Sequence, residues 1–170
     1  MDKTITTALL IIISMATALV LFNAAFPAVV EGSDALQSMA AHSEDQIRSQ
    51  IQVIHLVGEL DGSGWWQDTN ANGLFDVFAW VKNTGLTRFN ALDEIDVFYG
   101  AEGNFVRIPH QSDAGGSYPY WSWQIENATE WVPSATLRVT IHYNAPQPSG
   151  RYFFRITTPN GTSDDEIVSM

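Results

Sequence analysis

Between residues 68 and 76 the chain reads Asp-Thr-Asn-Ala-Asn-Gly-Leu-Phe-Asp. Oxygen-bearing side chains stand at Asp68, Asn70, Asn72 and Asp76, positions 1, 3, 5 and 9 of a loop whose position 6 is Gly73. A calcium-binding loop has this spacing. Alternate side chains turn inward, glycine permits the sharp bend, and the carbonyl at position 7, here that of Leu74, is a further ligand. Position 12 is Ala79, where a bidentate Glu belongs. With two carboxylates the expected affinity is that of a weak extracellular module, on the order of 10⁻⁴ to 10⁻³ M. The same residues also suit a polar hairpin between Trp66 and Val77 that needs no ion, because Asn and Gly favour turns. Calcium is the cofactor the sequence suggests, and none is required.

Other chemistry is thinner. Asn127-Ala-Thr129 and Asn160-Gly-Thr162 fit the N-glycosylation acceptor pattern, near turns. Trp65, Trp66, Tyr118, Tyr120, Trp121, Trp123 and Trp131 are enough aromatics for a carbohydrate platform, but a β-sandwich core and a subunit interface use aromatics too, and the core is the stronger reading. His42, His55, His110 and His142 are scattered without metal-ligand spacing. No nucleophile elbow or phosphate-cradling glycine loop is present. The paired acids Asp93/Glu94 and Asp164/Asp165 read as solvated surface. The expectation is a protein that is not an enzyme. Cysteine is absent, which excludes disulfides and thiolate metal sites.

The elements that carry these residues divide into two regions. Thr4 to Val30 holds no charge, and residues 31–170 carry the whole formal net charge of −11. So acidic a body repels nucleic acid. The uncharged run is long enough to cross a bilayer core. With only Lys3 ahead of it, it lacks the basic flank and short apolar stretch of a cleaved signal peptide. Lys3 and the α-amine lie on one side and Glu31, Asp34, Glu44 and Asp45 on the other, which places the N-terminus inside and the body outside. Pro27 is a site for a kink. Beyond it, Val30, Leu36, Met39, Ser43, Ile47 and Ile51 recur near helical spacing. Residues 1–50 are therefore expected to form one hydrophobic helix, membrane-inserted before any assembly.

From Ile51 the period changes to two. Leu137, Val139, Ile141 and Tyr143 alternate with Thr136, Arg138, Thr140 and His142, and shorter alternations centre on 77–81, 95–99 and 152–156. Weaker strands are expected at 51–60, 104–109 and 120–126, with turns at 61–64, 83–85, 113–116, 146–150 and 159–161. About seven short strands make residues 51–170 an exterior, all-β sandwich of immunoglobulin-like type, and the chain as a whole α+β.

Val81-Lys82-Asn83-Thr84-Gly85 after a strand, and Ile51-Gln-Val-Ile-His-Leu-Val-Gly58 leading from the helix into the β-region, resemble segments of archaeal-type flagellins, the archaellins of the type IV pilin-like superfamily. The architecture resembles theirs throughout. Ile5 stands where a bacterial type IV pilin has Glu, which argues against that branch. The resemblance implies a structural subunit, handled by a prepilin-type peptidase and a secretion platform, then drawn from the membrane into an extracellular helical filament of identical subunits for motility. Small residues along 4–25 allow the close helix approach such a homo-oligomer needs. Two other readings share the architecture: a membrane-anchored flagellar accessory protein at the filament base, and an adhesive pilin.

Overall fold

The computed structural model describes residues 2–170; Met1, the first residue of the expected helix, and its α-amine lie outside them. Two compact units divide the chain at Glu44 and Asp45. The first holds most of α1, Asp2–Arg48, a helix of 47 residues, about 70 Å long at 1.5 Å per residue. It stops two residues short of the expected end and runs through Pro27 without interruption. Its stretch Lys3–Glu44 is apolar enough to cross a membrane, and each of these side chains is exposed in the single chain. Hydroxyls within the apolar run are satisfied locally: Thr7 Oγ1 donates to the Lys3 carbonyl and Thr17 Oγ1 to the Ile13 carbonyl, both at 2.8 Å. They therefore cost little in lipid.

The second unit is a sandwich. Among its described residues run β1 (Ile51–Gly58), β2 (Phe75–Asn83), β3 (Asp96–Ala101), β4 (Asn104–Ile108), β5 (Tyr120–Ile125), β6 (Thr136–Tyr143), β7 (Arg151–Thr157) and β8 (Ser163–Ser169). One antiparallel sheet has the order β1-β2-β6-β5 and the other β4-β3-β7-β8. Lettered along the chain as A, B, C, C′, D, E, F and G, these are the A-B-E-D and C′-C-F-G sheets of an immunoglobulin-like fold. Tyr152 near the start of β7 donates its hydroxyl to the Pro148 carbonyl at 2.8 Å, the tyrosine corner of that fold. No cysteine ties the sheets. The core between them is Val77, Ala79, Val81, Leu137, Val139 and Ile141 from one face and Val97, Tyr99, Phe154 and Ile156 from the other.

β8 is the strand the sequence reading leaves out. Its acids also do more than face solvent. Asp164 accepts the backbone N–H of Val53 at 2.7 Å, linking the edge of β1 to β8, and Asp165 pairs with Arg155 at 3.1 Å. At the opposite seam His110 bridges to Trp121 beyond the end of β4. Both open edges of the sandwich are thus partly tied, which limits unpaired strand edge.

The residues that carried the archaellin resemblance anchor the entry to the sandwich. Thr84 and Gly85 N–H donate to the Gln50 carbonyl at 2.9 and 2.8 Å, and Leu86 N–H donates to the Arg48 carbonyl at 2.7 Å. Asn83 is fully buried; its Nδ2 donates to the Thr87 carbonyl at 2.8 Å and its Oδ1 accepts Gly85 N–H at 3.1 Å. A Cβ on Gly85 would lie 2.4 Å from both the Arg48 carbonyl oxygen and the Gln50 nitrogen, so this turn requires glycine.

Candidate functional site

The 68–76 loop closes mainly on its own N–H groups. Asp68 accepts Asn72 N–H at 3.2 Å and Gly73 N–H at 2.9 Å. Asn70 Oδ1 accepts Asn72 N–H at 3.1 Å, and Asn72 Oδ1 accepts Leu74 N–H at 2.7 Å. Gly73 takes the left-handed conformation, φ 75°, that its place in the turn demands. Asp76 is engaged elsewhere. Its Oδ2 accepts the side-chain amides of Asn70 and Asn72 at 2.7 and 2.8 Å, and its Oδ1 lies 2.7 Å from His142 Nδ1. Asp68, Asn70 and Asn72 thus share one loop with the Leu74 carbonyl, while Asp76 belongs to a network beneath it. Among the described residues no three His, Asp or Glu side chains gather as a metal cluster.

Asp76 is fully buried. Burial pushes its carboxyl up, but the His142 hydrogen bond, the Asn70 amide, the charge of His142 and the Asn72 amide outweigh this and hold it below the usual carboxylate range. Beside it the buried Glu59 accepts Thr69 N–H at 2.9 Å, Thr69 Oγ1 at 2.5 Å, Trp66 Nε1 at 3.4 Å and Asp76 N–H at 3.1 Å. Two carboxylates at the ends of adjacent strands therefore pin the whole 59–76 hairpin. On its other side His142 places Nε2 2.9 Å from Ser122 Oγ. Glu59, Thr69, Asn70, Ser122 and His142 border a cleft of about 560 Å³ on the outer face of the β1-β2-β6-β5 sheet, walled by Phe78, Trp80, Gln124 and Arg138.

Glu59, Ser122 and His142 escaped the sequence reading as members of one site. Strand register brings them together: Asp76 is opposite His142, and Tyr120, two residues before Ser122, is opposite His142 on its other side. Outward alternation along β2, β5 and β6 was the available signal. The aromatics divide as the core reading expects for Trp121 and Trp131, which are buried, while Trp65 is 74% exposed. Of the two acceptor sequences, Asn127 is exposed. Asn160 is half-buried, and its Nδ2, the atom a glycan would occupy, donates to the buried Ser49 Oγ at 2.6 Å.

No protein-family model and no curated protein sequence matches the chain. Among solved structures it is similar to the archaellum periplasmic stator protein FlaG from Sulfolobus acidocaldarius, with 23% identity and a TM-score of 0.54 over 71% of this chain and 99% of that one. It is similar also to the archaellum periplasmic stator protein complex FlaF and FlaG from the same organism, with 23% identity and a TM-score of 0.52 over 71% of this chain and 89% of that one. At this identity the likeness shows a shared fold.

Proposed function

We propose that the chain is a membrane-anchored accessory protein of the archaellum, held by α1 with its sandwich outside the membrane, rather than the filament subunit. The observation that carries this reading is the fold likeness to FlaG, which spans 99% of that chain and takes in 71% of this one. That share equals the proportion that residues 51–170 make up, and it leaves room for an anchor besides. The sandwich would face the space where a stator works, and an apolar helix of this length is satisfied in lipid without any copy of itself. One of the two solved structures holds FlaF together with FlaG. By analogy the partner here is a second archaellum envelope protein, and the chain has no catalytic duty in rotation.

Shearing decides between anchor and filament. Cells are sheared, and released filaments and membranes are probed separately for the chain. The accessory reading expects the chain in the membrane fraction, released by detergent, and expects its deletion to leave cells that build filaments but swim poorly. Recovery of the chain as the main component of sheared filaments would overturn it.

A further inference from the structure

We propose that Ser122 is an activated nucleophile and that the cleft above it cleaves small, uncharged carboxylic esters. The case begins with protons. The Asp76 carboxylate accepts, so the proton between it and His142, whose Nδ1 lies 2.7 Å from Oδ1, sits on Nδ1. In the neutral form of the imidazole this tautomer leaves a lone pair on Nε2, and Ser122 Oγ, 2.9 Å away, is placed to donate to it. A serine whose proton is aimed at an imidazole, itself oriented by a buried carboxylate, is the arrangement that nucleophilic acyl transfer requires. Three neighbouring strands hold it: β2 carries Asp76, β6 His142 and β5 Ser122, in the order in which those strands pair. Sites on paired strands keep their geometry better than sites on loops.

The cleft supplies the rest. Arg138 lies on the same face of β6 as His142, four residues away, and its Nε is buried without a hydrogen-bond partner among the described residues. Enclosed as that nitrogen is, the guanidinium acts on the cleft through its charge: Arg138 is the one Lys or Arg among the lining residues, and its field favours an oxygen that becomes negative. Arg138 is ion-paired with Glu126 at 3.1 Å and Glu59 also borders the cleft, so the wall has no excess of positive charge that would select an anionic substrate. Phe78 and Trp80 give it apolar walls, and about 560 Å³ suits a small molecule. In the reaction Ser122 Oγ bonds to the ester carbonyl carbon while His142 Nε2 takes the hydroxyl proton. The carbonyl electron pair moves to oxygen. Collapse breaks the bond to the alcohol, which leaves with the proton from His142, and Ser122 is acylated. Water repeats the sequence, releasing the acid and restoring the hydroxyl.

The test uses the full chain in detergent micelles, with a fluorophosphonate probe and p-nitrophenyl butyrate. The expected result is probe covalently on Ser122 by peptide mass mapping, with ester turnover reduced about 100-fold or more in Ser122→Ala and in His142→Gln. Circular dichroism and melting temperature report whether each variant is folded. Should His142→Gln unfold, Ser122→Ala, which removes a single hydroxyl, and the mapped labelling site on the native chain together decide the question. Absence of label on Ser122 in the folded chain, or equal turnover in Ser122→Ala, overturns the proposal and leaves the three residues as a hydrogen-bonded strap.

Discussion

Asp76 has one role suggested by its spacing and another by its contacts. In sequence it is the ninth position of a cation loop; in the fold it is the acceptor on which two Asn amides and an imidazole converge. Its folded pKa is lowered. The ionised carboxylate therefore stabilises the fold at pH above the unfolded value, about 3.9, and that stability is lost as pH falls through the folded pKa. Asp76→Asn, which cannot accept from all three donors, should cost about 2 kcal/mol at neutral pH. The gap between variant and wild type should narrow in acid melts as pH falls below the unfolded value and through the lower folded one, and a gap independent of pH would show that Asp76 charge does not matter. The loop itself poses a separate question. Asp68, Asn70 and Asn72 already accept N–H groups, so a calcium ion adds little order. Binding at ten times Kd would stabilise the fold by about 1.4 kcal/mol. Melts of the full chain in detergent, with EDTA or millimolar calcium, should shift by no more than this, and Asp68→Ala should abolish the shift. An unchanged melting temperature makes the loop a turn.

At the scale of elements, the legible features were those with a period. The alternations at 137–143, 77–81, 95–99 and 152–156 appear as β6, β2, β3 and β7, because each has one face on the core. β8 was hidden because Ser-Asp-Asp-Glu-Ile-Val-Ser is an edge strand with little buried face, so polarity overrides pattern. The Ser122–His142–Asp76 chain was illegible for another reason: its members are 20 and 66 residues apart, and register alone unites them. Between these extremes stands the 81–85 phrase, noticed for its resemblance and explained by the turn that takes up Arg48 and Gln50. Gly85→Ala tests that explanation. The added Cβ meets backbone on both sides at 2.4 Å, and backbone cannot swing aside as a side chain can. The loss should be about 1–3 kcal/mol, seen as a lower melting temperature of the sandwich, whereas Gly62→Ala, with open space around it, should change little. Equal effects at the two glycines would mean the 83–86 turn is not a tight joint.

The whole molecule joins an uncharged run, residues 4–30 of α1, to residues 31–170, which carry all of the net −11. The two accounts of that pairing place different demands on the helix. In a filament, α1 would pack on copies of itself, and knobs, holes and small residues would have to match along its length. In an anchor, α1 needs length and hydrophobicity, because lipid is a solvent without shape. Replacing residues 4–30 with an unrelated Leu/Ala stretch of the same length separates them. Lys3 and everything from Glu31 onward remain, so the charge asymmetry that sets orientation is kept. The accessory reading expects this chimera, expressed in a deletion strain, to fractionate with membranes and to restore swimming in soft agar close to the level of the native chain. The filament reading expects loss of assembly, since generic apolar side chains do not reproduce a specific helix lattice. A chimera that inserts in the membrane yet fails to restore motility would show that α1 recognises a partner within the bilayer, and the anchor would then be an interface as well.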